Sequence, residues 1–173
     1  MLLISDTHFD DADCLLMDKG WISPEEHIRI IKKQANKGST LIHLGDVGNP
    51  KWMSAIKAHK VLIMGNHDGA SAGFEQYFDE IYRGPLMIAE KILLSHEPIE
   101  GITWALNIHG HNHDATCRDD PYHINLASNV AGWKVLSLGK VIESGALKRI
   151  KGLHRETIDA AIDRKAKRKG TDV

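Results

Sequence analysis

Asp6-Thr7-His8, Gly45-Asp46, Gly65-Asn66-His67-Asp68, His96 and Gly110-His111-Asn112-His113 form short polar islands in this chain, most of them directly after an apolar run. Their carboxylate, amide and imidazole donors can act together only if the fold gathers them. Once gathered, they suffice for two divalent ions that share one carboxylate. Such a pair clamps the attacking and leaving oxygens of a displacement at phosphorus. Oxygen donors mixed with imidazole suit Mn²⁺, Fe²⁺, Co²⁺, Ni²⁺ or Zn²⁺ better than Ca²⁺. No cysteine is among the donors, which argues against a structural zinc site.

Taken singly, the islands carry little information. Asp6 and His8 share a face if the strand before them continues, because strand side chains alternate, but Asp-x-His is a common accident. A Gly-Asp pair is ordinary turn chemistry, and His96 alone would read as a core or cap histidine. Gly65-Asn66-His67-Asp68 says more, since a turn-permitting glycine precedes three polar groups. His111 and His113 repeat the spacing of Asp6 and His8. The chain has 11 histidines, and their clustering matters more than their number. His43 and His109, in or at the end of apolar strands, read as satisfied packing residues. His27, His59, His123 and His154 read as surface or loop positions. Trp21, Trp52, Trp104 and Trp133 read as core and not as a base-stacking platform.

The intervening sequence supplies elements to carry these donors. Leu2-Leu3-Ile4, Thr40 to Leu44 and Val61 to Met64 are short buried strands that end on the first three islands. Between the first two strands, Ser23-Pro24-Glu25-Glu26 is a capping box opening a helix. Ile28, Ile31 and Ala35 line its buried face, and Gly38 offers a stop. Asn49 should cap a helix from Pro50 to Lys60. This alternation predicts parallel strands with the site in the loops at their C-terminal ends. The second half is richer in strands. Leu86 to Ala89 and Lys91 to Ser95 make a hairpin, and Ala105 to Ile108, Tyr122 to Leu126 and Trp133 to Leu138 follow. Two sheets packed face to face, with helices outside, are expected. Glu156 to Lys169 should form a terminal helix.

Bulk composition narrows the alternatives. The chain has 173 residues, 42% apolar and 26% charged, with a formal net charge of -1. Those values describe one ordinary globular domain without a broad basic field, so nucleic acid is not an obligatory partner. Arg164, Lys165, Lys167, Arg168 and Lys169 crowd the C-terminus as a solvated helix end. Cys14 and Cys117 follow no framework pattern and read as reduced thiols. No apolar run approaches the roughly 20 residues that span a bilayer, and no basic leader precedes the first strand. Cytoplasmic location is the expectation.

Together and in this order, the islands resemble the calcineurin-like metallophosphoesterases. The shared pattern is Asp-x-His, Gly-Asp, Gly-Asn-His-Asp/Glu, His and Gly-His-x-His, spread here from Asp6 to His113. Ser5-Asp6-Thr7-His8-Phe9, His43-Leu44-Gly45-Asp46, Asn129-Val130, Trp133 and Val135 to Leu138 are similar to small bacterial and phage members. The resemblance implies an α/β fold with four α-β-β-α layers, two mixed sheets flanked by helices, and a dinuclear site at the strand C-terminal loops. It implies one domain over 1–155, followed by a C-terminal helix and basic tail over 156–173.

For the site, the resemblance implies one ion held by Asp6, His8, Asp46 and His113. A second would be held by Asp46, Asn66, His96 and His111, with Asp46 bridging. Mn²⁺ is the favoured metal. A bridging hydroxide would attack phosphorus, while His67 donates to a phosphate oxygen or protonates the leaving oxygen, held by Asp68 or Asp46. The expected substrate is a small phosphoester, diester or monoester, with nucleotides among the options. A non-catalytic scaffold and a nuclease of the same fold are the alternatives. One departure stands out: relatives often follow Asp-Thr-His-Phe with Gly-His, whereas this chain has Asp10-Asp11 and then Asp13. That stretch reads as a solvated acidic loop that could instead flank the site's mouth.

Overall fold

Leu2–Ile4 (β1) occupies an inner position of a sheet because it is wholly apolar, with Leu3 and Ile4 buried in the cores on opposite faces. The computed structural model describes residues 1–69, 73–114 and 120–169. Within them β1 pairs in parallel with Thr40–His43 (β2), β2 with His59–Ile63 (β3), and β3 with Glu80–Tyr82 (β4). Leu136–Ser137 (β9) closes the opposite edge antiparallel to β1, giving the order β4-β3-β2-β1-β9. The second sheet joins Leu86–Ala89 (β5), Ile92–Leu94 (β6), Leu106–His109 (β7) and His123–Asn125 (β8) in that order. Its β5-β6 hairpin is antiparallel and the other pairs are parallel.

Strand alternation divides the apolar side chains between two cores. Leu3, Ile42, Val61 and Ile63 point toward Ile92, Leu94, Leu106 and Ile108 of the second sheet. Ile4, Leu41 and Leu62 point the other way, onto Ile28 and Ile31 of helix α2 (Pro24–Lys32; α1 is the short Cys14–Met17 turn) and onto Met53 and Phe74. Each fully buried side chain of this kind contributes roughly 1.5–3 kcal/mol of transfer free energy. The result is an α/β sandwich of two mixed sheets with helices. On the outer face of the second sheet, Leu93, Ile102 and Ala105 are roofed by Ile99 and Trp104. The outer helical layer expected there is reduced to this loop and the first turns of α4 (Leu153–Lys169). Most of α4 is exposed, and Thr103 Oγ1 donates to Glu156 Oε1 at 2.8 Å where the helix meets the body.

Several expected elements differ. The helix from Pro50 is a 3-10 turn that stops at Ala55, because His59 and Lys60 are taken by the ladder opposite Thr40 and Leu41. Asn49 does cap it, accepting from the Lys51 amide at 3.2 Å. Helix α2 ends at Lys32, well before Gly38. Only Leu136 and Ser137 of the Trp133–Leu138 segment are strand. Trp133 has left-handed backbone (φ 63°) in a turn closed onto Ser128, and Leu138 opens an unforeseen helix, α3 (Leu138–Glu143). The edge strand β4 was also not expected. Among the described residues no helix is long and apolar enough to cross a membrane. Cys117 lies outside the described residues.

Candidate metal centre

Parallel strands deliver their C-terminal ends to one edge of a sandwich, and every polar island leaves from such an end. Asp6 and His8 follow β1, Asp46 follows β2, Asn66 to Asp68 follow β3, His96 follows β6, and His111 and His113 follow β7. The main chain stitches the first two loops together. Asp6 N donates to Gly45 O at 2.9 Å, His8 N to Asp46 O at 3.0 Å, and Phe9 N to Val47 O at 2.9 Å. Asp68 adds the third loop. One of its oxygens accepts from Asp46 N and Gly65 N, both at 2.8 Å, and the other from Val47 N at 3.0 Å. The sequence left Asp68 or Asp46 as the carboxylate expected to hold the His67 ring, and that of Asp68 is committed to backbone amides.

Crowding explains the glycines of these loops. A Cβ on Gly110 would collide with Ser5 Oγ and the Asp6 carboxylate. One on Gly45, whose φ is 97°, would lie 2.6 Å from Gly65 N and His96 Nδ1. Asp6, His8, Asp46 and His111 also hold left-handed backbone, with φ of 51°, 41°, 56° and 66°. Conformations of this kind cost of order 1–3 kcal/mol each and persist where surrounding contacts over-determine them.

The side chains converge in two groups that could each hold a metal ion, Asp6 with His8 and His113, and Asp46 with His96 and His111, and the described residues hold a third such group, His8 with Asp11 and Cys14. The Asn66 amide oxygen joins the second, 2.8 Å from His96 Nε2 and 3.1 Å from His111 Nδ1. Asp46 lies between the groups, its Oδ2 3.3 Å from His96 Nε2 and 3.7 Å from His8 Nε2. Asp6 Oδ1 is 3.6 Å from His113 Nε2.

Three rings are pinned from behind, which fixes the nitrogen they present. His8 Nδ1 donates to Asp11 Oδ2 at 3.1 Å, His96 Nδ1 to the Leu44 carbonyl at 2.8 Å, and His113 Nδ1 to Asn129 Oδ1 at 2.9 Å. In the neutral ring each Nε2 is then a bare lone pair. That of His8 is buried without a hydrogen-bond partner, and that of His96 faces two acceptor oxygens. Acceptors aimed at acceptors repel unless positive charge sits between them. A proton on His96 or divalent cations would supply it, and the mixture of carboxylate, amide and imidazole fits the latter.

Electrostatics carries the same sign. Burial disfavours a charged His96 ring, yet its hydrogen bond to Asp46 and the charges of Asp6 and Asp46 raise its pKa. Burial also works against ionised Asp46, but the contacts with His96 and the amide of His67 outweigh it and hold the carboxyl down at about 2. Asp6 is pushed up, chiefly by burial. Removed from water, these carboxylates form a negative field that favours a cation.

His67 stands apart. Its amide donates to Asp46 Oδ1 at 3.0 Å, while the exposed side chain lies 5.7 Å, ring to ring, from His8. His43 is satisfied as expected. It accepts from Gly45 N at 3.2 Å through Nδ1 and donates from Nε2 to Thr7 Oγ1 at 2.9 Å, and burial lowers its pKa to about 3. His109 is only half satisfied: Nδ1 donates to Gly110 O at 2.8 Å, and Nε2 is buried without a partner. His27, expected at the surface, is buried against Phe9 and Trp133. Trp21 is not core. It lines the site, 5.9 Å from the His8 ring and 5.8 Å from His113, and packs edge-on against Trp133 at 4.9 Å.

Asp11 and Asn129 are the residues that sequence reading left without a role. Asp11, three positions after His8, was visible only as part of an acidic loop. Its neighbour Cys14 donates to the His8 carbonyl, and burial with the charges of Asp11 and Asp13 pushes that thiol up to about 12. Asp10 is also engaged, accepting from Asn49 Nδ2 at 2.7 Å and Trp52 Nε1 at 2.8 Å. The loop is therefore a support for the site, not merely solvated charge.

No protein-family model and no curated protein sequence matches this chain. Among solved structures it is similar to AQ665 from Aquifex aeolicus, a protein of unknown function. The identity is 27% over 83% of this chain and 97% of that one, with a TM-score of 0.69. A nuclease MPE from Pseudomonas putida is 24% identical over 63% of this chain and 59% of its own, with a TM-score of 0.44.

Proposed function

We propose that this chain is a calcineurin-like metallophosphoesterase. It hydrolyses small, accessible phosphoesters with two divalent cations, Mn²⁺ first among them, held by Asp6, His8, Asp46, Asn66, His96, His111 and His113. The observation that carries this reading is the convergence of imidazole nitrogens and acceptor oxygens on either side of Asp46. Bound cations would supply charge for the phosphoryl oxygens and a water acidified toward neutral pH.

The protein's own residues do the rest. Asp11, the Leu44 carbonyl and Asn129 hold three imidazoles in one tautomer. Asp68 fixes the loop that carries Asn66 and His67. Trp21 shields the His8 side from water, and His67, at the open mouth, donates a proton to a phosphoryl or leaving oxygen. Metal counting by atomic emission, followed by turnover of bis(4-nitrophenyl) phosphate and 4-nitrophenyl phosphate, tests the reading. Two bound ions with metal-dependent release of nitrophenolate are expected. A protein that binds no divalent metal, or is fully loaded and inert on both esters, would refute it.

A further inference from the structure

A cavity of about 340 Å³ opens beside Asn66 and His96, on the opposite flank of the candidate centre from Trp21. Ile63, Met64, Pro98 and Ile99 contribute apolar wall, and Arg83 and Glu97 line the same space. A second cavity, of about 280 Å³, lies on the other flank against His8, Asp11 and Trp21. We infer that the Arg83 cavity receives the organic group that stays on phosphorus, and that Arg83 and Glu97 select a nucleobase-like ring there. The inference rests on the phosphoesterase reading above.

His67 bears on the side from which the leaving oxygen departs. Its ring lies on the His8 side, 5.7 Å from that imidazole, so the oxygen it protonates departs on that side. In an in-line displacement the substituent that remains is equatorial, and the Arg83 cavity, lined by Asn66 and His96 of the centre itself, is a space open to it. The cavity's size and partly apolar lining are those of a site for an organic group, since small-molecule pockets run from about 300 Å³ upward. A bare phosphate would leave its apolar wall unused.

The polar groups narrow the chemistry further. Among the described residues Arg83 has no carboxylate within ion-pair distance, although Glu97 lines the same cavity. One donor fork and one acceptor are thus both free for a ligand. A second phosphate would gain Arg83 and be repelled by Glu97. A neutral heterocycle with acceptors on one edge and donors on another uses both. Guanine is the best match, because an arginine fork pairs with its O6 and N7 and a carboxylate accepts from its ring and amino N–H groups.

The test compares guanosine 5′-(4-nitrophenyl) phosphate with methyl 4-nitrophenyl phosphate on the Mn²⁺-loaded protein. The wild type should favour the guanosine ester. Arg83→Ala should reduce that preference by about 10-fold, through KM more than kcat. Arg83→Lys should recover little, because an ammonium lacks the fork. Separately, guanosine titrated into the metal-free protein should shift the methyl NMR signals of Ile63, Met64 and Ile99, and Arg83→Ala should weaken that binding. Equal preference in wild type and variant, with unchanged circular dichroism and metal content, would overturn the inference and leave the phosphoesterase reading standing. If no ester is turned over, that reading falls. The guanosine titration then decides alone: methyl shifts keep the cavity as a nucleoside site, and their absence ends it.

Discussion

The two donor groups are built differently although Asp46 lies between them. Asp6, His8 and His113 sit under aromatic cover, with Trp21 against both imidazoles, and side chains (Asp11 and Asn129) orient their rings. His96 is instead oriented by a backbone carbonyl, while Asn66 and His111 are exposed and carry no such aromatic cover among the described residues. A group under cover holds its ion in lower dielectric, and one oriented by side chains can be weakened by mutation. The other group is fixed by the main chain and exchanges more freely with solvent. On the proposed reading, the first ion is the resident one and the second is the more readily lost.

Breaking the shared element should do most. On the proposed reading Asp46→Ala removes a donor from both groups and is expected to abolish stoichiometric binding at each, with turnover at background, as metal counting and kinetics would report. His67→Ala should leave both ions in place and lower turnover by about 10²–10⁴-fold. Loss of metal in that variant would make His67 a ligand instead. Asp11→Ala and Asn129→Ala should sharpen the asymmetry, each weakening the Asp6–His8–His113 group by roughly 10–100-fold in a competitive chelator titration. The other group should keep its affinity, and equal weakening of both would erase the distinction.

The smallest effect is on stability. His27 lies in the aromatic layer next to Trp133, and burial lowers its pKa from 6.5 to about 4. The unfolded chain therefore takes up the proton first. The contribution is fully present above pH 6.5 and is lost as pH falls from there toward 4. Between pH 8 and pH 6 the cost is about 1 kcal/mol. Urea denaturation at both pH values should find this slope in the wild type and a flatter one in His27→Phe.

Strands β1, β2, β3, β6 and β7 were legible because each is a short apolar run broken by polar residues at its C-terminal end. The donor islands were legible for the same reason, since the break and the donors coincide. Supporting residues were harder to see. Asp11 and Asn129 gain meaning only when a loop folds back onto a ring, and Asp68 sits in the expected island yet serves the amides of another loop. Trp133 misled because an apolar, aromatic stretch reads as strand, whereas this residue turns the chain with positive φ. Trp21 and His27 were misplaced because their settings depend on packing against Trp133, a contact between segments far apart in sequence.

Left-handed backbone at Asp6, His8, Asp46 and His111 narrows which residues these sites accept. Aspartate, asparagine and histidine are the non-glycine types enriched in that conformation, and they are also good ligands for mid-row divalent ions. Glutamate or glutamine, the exchanges that coordination chemistry alone would allow, should fit poorly at all four. A variant library at these positions would return a short alphabet, set jointly by the main chain and the metal.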